Sequence, residues 1–163
     1  MCGIVCAVSN IPVLPLLIEG LKRLEYRGYD SAGVALLGEK GFERTRSVGR
    51  IADLEVALGD RIANDSSVGI AHTRWATHGA PTEINAHPHL VSGKLAIVHN
   101  GIIENHQSLR EELIEAGYVF ESETDTEVIL HQVDRQLKLS GDLYEAVRAS
   151  VKRLKGAYAI GLV

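Results

Sequence analysis

The chain has 163 residues, of which 45% are hydrophobic and 23% are charged, and its formal net charge at pH 7 is −4. This length suits one domain with a substantial core, and the acidic balance argues against a nucleic-acid partner. No stretch approaches the ~20 apolar residues that span a bilayer, and the N-terminus has no secretory signal pattern. We therefore expect a cytoplasmic protein with no membrane partner.

Hydrophobic periodicity predicts a mixed α and β domain in which groups of strands and helices alternate. In chain order we predict a strand at 3–9 and then a helix along the apolar stripe 14–24, which stops by Gly28. Two strands joined by a hairpin follow at 32–37 and 42–48. After them we predict a short helix at 51–58 and a strand at 68–73. The stretch 74–90 has neither helical nor strand periodicity, and a loop of that length is typically functional or disordered.

The second half of the chain continues the alternation. We predict strands at 95–98 and 118–121, a helix containing Leu109 and Leu113, a helix capped by a Thr124-x-x-Glu127 box, a helix between Asp142 and Gly156, and a strand at 157–163. Because that last strand ends flush with the C-terminus, without a polar tail, we expect the chain to be a truncated domain.

Cys2 becomes the first residue of the chain when Met1 is removed. It then carries a thiol with a pKa near ~8.5 beside an α-amino group with a pKa near ~7.7–8.0, and the neutral amine can accept the thiol proton. The alternative is an ordinary small residue near a chain end. Cys6 lies roughly 13 Å further along an extended strand, so we expect no disulfide between the two and a small, buried Cys6.

Six of the seven histidines fall between positions 72 and 106, which raises the question of a metal site. Their spacings match no standard zinc ligand set, and neither H-E-x-x-H nor C-x-x-C occurs. His87 and His89 flank a proline and can place both rings on one side of an extended segment. We expect loop histidines bonded to backbone groups, with no metal and no cofactor.

Three other polar features each have two interpretations. Asn100-Gly101 is either a turn or, through the Asn amide and the Gly N–H, a pair of donors to a developing oxyanion. Arg74 is either a surface charge or a fork that binds a carboxylate. Asp125 is either a carboxylate favoured by the start of a helix or a partner for an ammonium group. Together, Arg74 and Asp125 can hold the carboxylate and the ammonium group of a free amino acid.

Segments distributed along the whole chain resemble the glutaminase domains of the glucosamine-6-phosphate synthase family, which are class II glutamine amidotransferases of the N-terminal-nucleophile type. They are MCGIV at the start, RLEYRGYDSAG at 23–33, GIAHTRWATHG at 69–79, NAHPH at 85–89, HNGIIEN at 99–105 and SETDTE at 122–127. The segment LEYRGYDSAG is similar to the aminosugar enzymes, whereas the amidophosphoribosyltransferase branch typically has a HRGQD-like version.

The resemblance implies a role for each matching residue. Cys2 is the nucleophile with its own α-amino group as base, and Asn100 and Gly101 form the oxyanion hole. Arg74 holds the carboxylate of glutamine and Asp125 holds its ammonium group. The remaining substrate-binding residues are Trp75, Thr77 and His78, in a loop that closes over glutamine, and Arg27 and Gly28 near the nucleophile.

The resemblance also implies an α+β fold, a four-layer αββα sandwich of two antiparallel sheets as in N-terminal-nucleophile hydrolases, here without its later strands. The implied reaction hydrolyses L-glutamine to glutamate and ammonia through a cysteine thioester. In the complete enzyme, a homodimer, ammonia passes to a sugar isomerase domain that turns fructose 6-phosphate into glucosamine 6-phosphate. We expect residues 1–163 to be the truncated glutaminase domain, with the isomerase domain absent.

Cys6 departs from the family pattern, because it replaces the glycine of the usual CGIVG opening. We expect a modest packing adjustment on the nucleophile strand and a second thiol open to modification. Two alternatives remain at this point. One is another class II amidotransferase, and the other is a non-catalytic amino-acid-binding module, which a blocked terminal amine would produce.

The catalytic interpretation of Cys2 predicts a mature chain without Met1. A retained Met1 would turn the α-amino group into a peptide nitrogen, which is not a base, so that form is expected to be inactive. Intact-mass spectrometry of the purified chain measures this directly, and active protein that retains the methionine would contradict the scheme.

Overall fold

The computed structural model describes residues 2–60 and 65–163, in which two antiparallel β-sheets pack face to face between layers of helices. The strands are β1 (Gly3–Val8), β2 (Ser31–Gly38), β3 (Gly41–Val48), β4 (Val68–Arg74), β5 (His89–Val91), β6 (Leu95–Ile103) and β7 (Gly156–Leu162). The α-helices are α1 (Leu14–Leu24), α2 (Ile51–Leu58), α3 (His106–Glu115), α4 (Asp125–Ser140) and α5 (Leu143–Val151). Short 3₁₀ helices occupy Glu25–Arg27 and Glu83–Asn85.

The first sheet has the strand order β1-β4-β2-β3 and the second has the order β5-β6-β7. In the first sheet the start of β1 lies beside the end of β4, since Gly3 pairs with Thr73. In the second sheet the middle of β6 lies beside β7, and Asn100 pairs with Ala159. The predicted nucleophile and the predicted oxyanion residues therefore belong to different sheets.

Three apolar clusters separate four layers, as in the predicted αββα sandwich. The first lies between the first sheet and α1 and α2, and its fully buried members include Leu17, Leu21, Leu54 and Ala71. The second lies between the two sheets and contains Ala35, Ile70, Ala96 and Val98. The third lies between the second sheet and α3, α4 and α5, and includes Ile97, Leu113, Ile129 and Leu130. The prediction of an αββα sandwich of two antiparallel sheets is confirmed.

The helices begin and end largely where the sequence predicts. Helix α1 buries its leucine and isoleucine stripe and places Pro15 in its first turn, where the missing N–H costs no hydrogen bond. Thr124 caps α4 by accepting a hydrogen bond from the Glu127 N–H at 3.4 Å. The reciprocal half of the predicted capping box is wrong, because the Glu127 carboxylate accepts from the N–H groups of Glu121 and Ser122.

The predicted strand at 118–121 does not form. The N–H of Tyr118 bonds to the Leu113 carbonyl at the end of α3, and the Val119 carbonyl bonds to the His131 ring at 3.1 Å. The Phe120 ring packs edge-on against the same His131, with 4.7 Å between ring centroids. Side chains of α4 and the end of α3 satisfy this backbone, so the segment has no need of a neighbouring strand.

The prediction of a buried Cys6 is also wrong. Cys2 and Cys6 are both free thiols, as expected, but Cys6 is exposed. It lies on β1, which is an edge strand of its sheet, and its side chain points toward β7 of the other sheet. A Cβ placed on Gly161 would lie 2.4 Å from the Cys6 sulfur, so a glycine is needed opposite it. Along the described parts of the chain, no helix is both long and apolar enough to cross a membrane.

The two helix-facing cores are expected to unfold as one cooperative unit. Leu21→Ala and Leu113→Ala each remove a side chain with no exposed surface, and each should lower the free energy of unfolding by about 2–5 kcal/mol. Leu139→Ala is the control, because Leu139 is 76% exposed and its change should stay within about 0.5 kcal/mol. Urea unfolding followed by far-UV circular dichroism makes the comparison, and two separate transitions would contradict a single unit.

Candidate active site

A cavity of about 560 Å³ opens where the ends of β1 and β4 face the middle of β6. Every predicted site residue except Gly28 lines it. These residues are Cys2, Arg27, Arg74, Trp75, Thr77, His78, Asn100, Gly101 and Asp125. The cavity also has lining residues that were not predicted to belong to the site, namely His87, His99, Ile102, Thr124 and Thr126.

The Cys2 thiol is partly exposed and bonded to the backbone of Trp75. Its Sγ accepts a hydrogen bond from the Trp75 N–H at 3.1 Å and lies 3.4 Å from the Trp75 carbonyl oxygen, to which the S–H can donate. The predicted removal of Met1 concerns a residue outside those that the structure describes.

Asn100 and Gly101 lie inside β6, so the turn interpretation of this pair is wrong. The Asn100 amide reaches across to the first sheet, where its Nδ2 donates to the Cys2 carbonyl at 3.3 Å. Gly101 has a φ of +124°, and a Cβ there would lie 2.2 Å from the Ala157 carbonyl oxygen of β7. Only glycine fits at that position, since both the backbone conformation and the neighbouring strand exclude a side chain.

Arg74 is the last residue of β4 and is 3% exposed. Its guanidinium donates to the carbonyl oxygens of His78 at 2.5 Å, Gly79 at 3.2 Å and Ala80 at 3.2 Å, and it lies 3.7 Å from the Asp30 carboxylate. The surface-charge interpretation is therefore wrong. Arg74 organises the loop after β4 while presenting a buried positive charge to the cavity, and the loop uses three of its five N–H donors.

Asp125 is the first residue of α4 and is 3% exposed. One carboxylate oxygen accepts from the Ile103 N–H at 2.9 Å. The other lies 3.8 Å from Nδ1 of His99 and 3.9 Å from Nδ1 of His78. The N-terminal end of the helix stabilises this negative charge, which faces the same cavity as Arg74.

The remaining predicted residues surround the cavity mouth. Trp75 is 53% exposed, and a Cβ on Gly28 would lie 3.0 Å from its ring, so Gly28 leaves room for the indole. The His78 ring packs edge-on against His106, with 4.8 Å between centroids. Thr77 and Arg27 complete the rim. Gly28 thus contributes to the site through Trp75.

A family model described as a glutamine amidotransferase domain matches residues 72–163, more than half of the chain. The chain belongs to this family. Two curated relatives named glutamine–fructose-6-phosphate aminotransferase (isomerizing) are similar to it: the protein of Pseudomonas putida is 58% identical over 100% of this chain, and that of Shewanella oneidensis is 60% identical over 97%. The chain spans only about a quarter of the length of these relatives, 27% and 26%.

A solved structure shares the fold of this amidotransferase domain. Glutamine phosphoribosylpyrophosphate amidotransferase from Bacillus subtilis matches all of this chain and 35% of its own, with a TM-score of 0.81 and 26% sequence identity. The identity is less than half of that to the aminosugar relatives. This relation supports the N-terminal-nucleophile sandwich as the fold.

Buried histidines and threonines form a hydrogen-bonded network in the wall of the cavity of the amidotransferase domain. Thr126 Oγ1 is 2.7 Å from Nε2 of His87 and 2.8 Å from Nδ1 of His99, and Thr124 Oγ1 is 3.1 Å from Nε2 of His89. Thus the partners of these rings include threonine side chains, not only the backbone groups that we expected. Within residues 2–60 and 65–163, no group of three or more His, Cys, Asp or Glu side chains is arranged to hold a metal ion.

The sequence pattern did not assign these residues to the site: His87 and His89 were considered only as metal ligands and Thr124 only as a helix cap, and no periodicity distinguishes His99 or Thr126. One signal was available: each lies in a segment that carries the family resemblance, and His99, Thr124 and Thr126 adjoin predicted site residues. Burial lowers the pKa of His72 to about 4, that of His89 to about 3, and that of His87 well below its usual value. The three rings are therefore neutral at pH 7.

Buried neutral histidines predict a loss of stability in mild acid. Below pH ~6.5 the unfolded chain binds protons that the folded chain does not, so each such histidine costs about 1.4 kcal/mol per pH unit as the pH falls toward its folded pKa. For the three histidines together we expect roughly 4 kcal/mol less stability at pH 5.5 than at pH 7.5. In His89→Gln the difference should shrink by about 1.4 kcal/mol. Urea titrations at the two pH values test this, and equal midpoints would refute it.

Proposed function

We propose that this domain hydrolyses L-glutamine to glutamate and ammonia, with Cys2 as the nucleophile. The observation that carries the proposal is the convergence on one cavity of the Cys2 thiol, the Asn100 amide, the Arg74 cation and the Asp125 anion. Glutamine needs these four functions: an attacking atom, a donor for the oxyanion, and one partner for each charged group of its amino-acid end.

Catalysis begins with the α-amino group of Cys2, which takes the thiol proton once Met1 has been removed. The thiolate attacks the side-chain amide carbon of glutamine, and the resulting oxyanion accepts hydrogen bonds from Nδ2 of Asn100 and the N–H of Gly101. The amine proton then passes to the departing nitrogen, which leaves as ammonia when the C–N bond breaks. Water attacks the γ-glutamyl thioester, gives a proton to the amine, and releases glutamate and the thiol.

Glutamine binds with its carboxylate at Arg74 and its ammonium group at Asp125. Both charged groups are 3% exposed, so they act where water screens little. Trp75, Thr77 and His78 belong to the loop whose carbonyl groups already bond to Arg74. Gly28 leaves room for the Trp75 ring, and Arg27 lines the same cavity. This geometry links binding of the substrate carboxylate to the position of the loop, because both use the same guanidinium.

The ammonia serves an aminosugar synthesis. The similar relatives are named as isomerizing aminotransferases of fructose 6-phosphate, and this chain corresponds to about a quarter of their length. We propose that in the complete protein a sugar isomerase domain receives the ammonia and converts fructose 6-phosphate to glucosamine 6-phosphate. The complete protein is proposed to be a cytoplasmic homodimer.

Delivery of ammonia to a phosphoribosyl acceptor is the second candidate function. The similarity to the Bacillus subtilis amidotransferase structure favours it, since the fold matches over the whole chain. The segment LEYRGYDSAG favours the aminosugar reaction instead, as does the higher identity to the aminosugar relatives.

Cys2→Ala is expected to abolish glutamine hydrolysis, because it removes the attacking sulfur. A coupled glutamate dehydrogenase assay should show a loss of at least about a thousandfold. Cys6→Ala is the matched control, since Cys6 is the other cysteine of the chain, lies on β1 and is outside the cavity lining. Hydrolysis that persists in Cys2→Ala, or a glutamine-like electrophile that labels Cys6 in place of Cys2, would refute the assignment.

Asp125→Asn is expected to raise KM for glutamine by about 10- to 100-fold while kcat changes little, because a buried charged hydrogen bond contributes about 1.5–3 kcal/mol. The asparagine keeps an oxygen for the Ile103 N–H and removes only the charge. Asp142→Asn, at the exposed cap of α5, is the control for a lost carboxylate elsewhere. An unchanged KM in Asp125→Asn would remove the ammonium role of Asp125.

A further inference from the structure

His72 lies on β4, two residues before Arg74, and has no exposed surface. Its side chain points into the space between the two sheets, on the same face of β4 as the buried Ile70. It is absent from the cavity lining, so it does not touch a bound substrate. Its Nε2 nevertheless reaches β6 of the opposite sheet, where it lies 2.8 Å from Oδ1 of Asn100 and 3.0 Å from the His99 carbonyl oxygen.

The backbone carbonyl of His99 determines the protonation of this ring. A carbonyl oxygen only accepts hydrogen bonds, so the nitrogen that it faces must carry the hydrogen. His72 is therefore the Nε2–H tautomer, and its single hydrogen is shared between the His99 carbonyl and the Asn100 side chain. A positively charged ring is disfavoured, because Nδ1 is buried and among the described residues has no hydrogen-bond partner.

The same hydrogen determines which way the Asn100 amide faces. An N–H donor requires an acceptor, so the oxygen of the amide must face His72 and the NH₂ group must face away from it. On that side Nδ2 donates to the Cys2 carbonyl at 3.3 Å and retains a second hydrogen. With the amide reversed, two N–H groups would oppose each other in a buried space and the cavity side would offer only an acceptor.

We propose that His72 is a positioning residue for the oxyanion hole, which it supports by locking the Asn100 amide with its donor toward the Cys2 nucleophile. The inference rests on the proposed function, in which Asn100 stabilises the oxyanion. The packing of the His87 ring against the other side of His72, with 4.2 Å between centroids, restricts rotation of the imidazole. A donor held in place before reaction costs no reorganisation when the charge develops.

The test compares two variants at position 72 by steady-state glutamine hydrolysis. His72→Leu removes the N–H at similar size and should lower kcat by about 10- to 100-fold, less than the ~10²–10³ of a lost oxyanion donor, with KM within threefold. His72→Gln carries an amide N–H that can reach Asn100 and should recover most of kcat. His131→Gln is the matched control, because His131 is also buried, bonds a backbone carbonyl through Nε2 and lies outside the cavity lining.

A double-mutant cycle separates positioning from loss of stability. In an Asn100→Ala background, His72→Leu should cost less than about threefold in kcat, since the amide that it orients is gone. Alkylation of Cys2 by iodoacetamide, a displacement that forms no oxyanion, should keep its rate in His72→Leu. Independent losses in the cycle, or equal kcat in the leucine and glutamine variants, would overturn the proposal.

One measurement needs no variant and remains decisive if His72→Leu fails to fold. A long-range ¹H–¹⁵N NMR spectrum of the wild-type chain at pH 7 should show His72 neutral and protonated at Nε2. Protonation at Nδ1 instead would overturn the inference.

If Cys2→Ala retains activity, the proposed function itself fails. If Cys2→Ala is inactive and the His72 variants match wild type, only the role of His72 fails.

Discussion

The arrangement of the site depends on the hydrogen bonds of the Asn100 side chain, because these bonds join the two sheets at the cavity. The side chain accepts from His72 of β4 through its oxygen and donates to the Cys2 carbonyl through its nitrogen. Both partners belong to the first sheet or its leading residue, whereas Asn100 belongs to the second. The bridge exists only at the separation that the sheets adopt. Small residues at the interface, Ala35 and Ala96, belong to the cluster that sets this separation.

In the proposed function, fixed charges in the cavity hold the substrate and neutral dipoles serve the reaction. Arg74 and Asp125 supply the fixed charges, each stabilised locally by loop carbonyls or by a backbone N–H at a helix start. The buried histidines are kept neutral by desolvation. A neutral imidazole can orient an amide without repelling the ammonium group of a substrate or attracting the thiolate away from the amine. The low acid stability expected of the fold is the cost of this arrangement.

Arg74 both organises the loop that follows β4 and lines the cavity. It was predicted as a carboxylate fork, and the structure assigns three of its donors to the carbonyl groups of residues 78–80. The Ala76 N–H in the same loop bonds to Asp30, whose carboxylate also lies 3.7 Å from Arg74. The loop that carries Trp75, Thr77 and His78 is thus held by a residue that lines the cavity. Its backbone needs no helical or strand periodicity, because Arg74 and Asp30 satisfy several of its polar groups.

The sequence by itself determined the order of most strands and helices, because apolar periodicity and helix caps are local properties; it missed β5 and predicted a strand at 118–121 that does not form. It also contained the residue types of the site, read from motifs such as HNG and TDT. Only the tertiary structure decided that Asn100-Gly101 is strand and not turn, since Gly101 pairs with Tyr158 of β7. The same neighbouring strand leaves no room for a side chain at Gly101. The tertiary structure also decided that residues 118–121 need no partner strand, that Cys6 is exposed at a sheet edge, and that His72 faces Asn100. Each of these depends on residues distant in the chain, whose contacts no local pattern encodes.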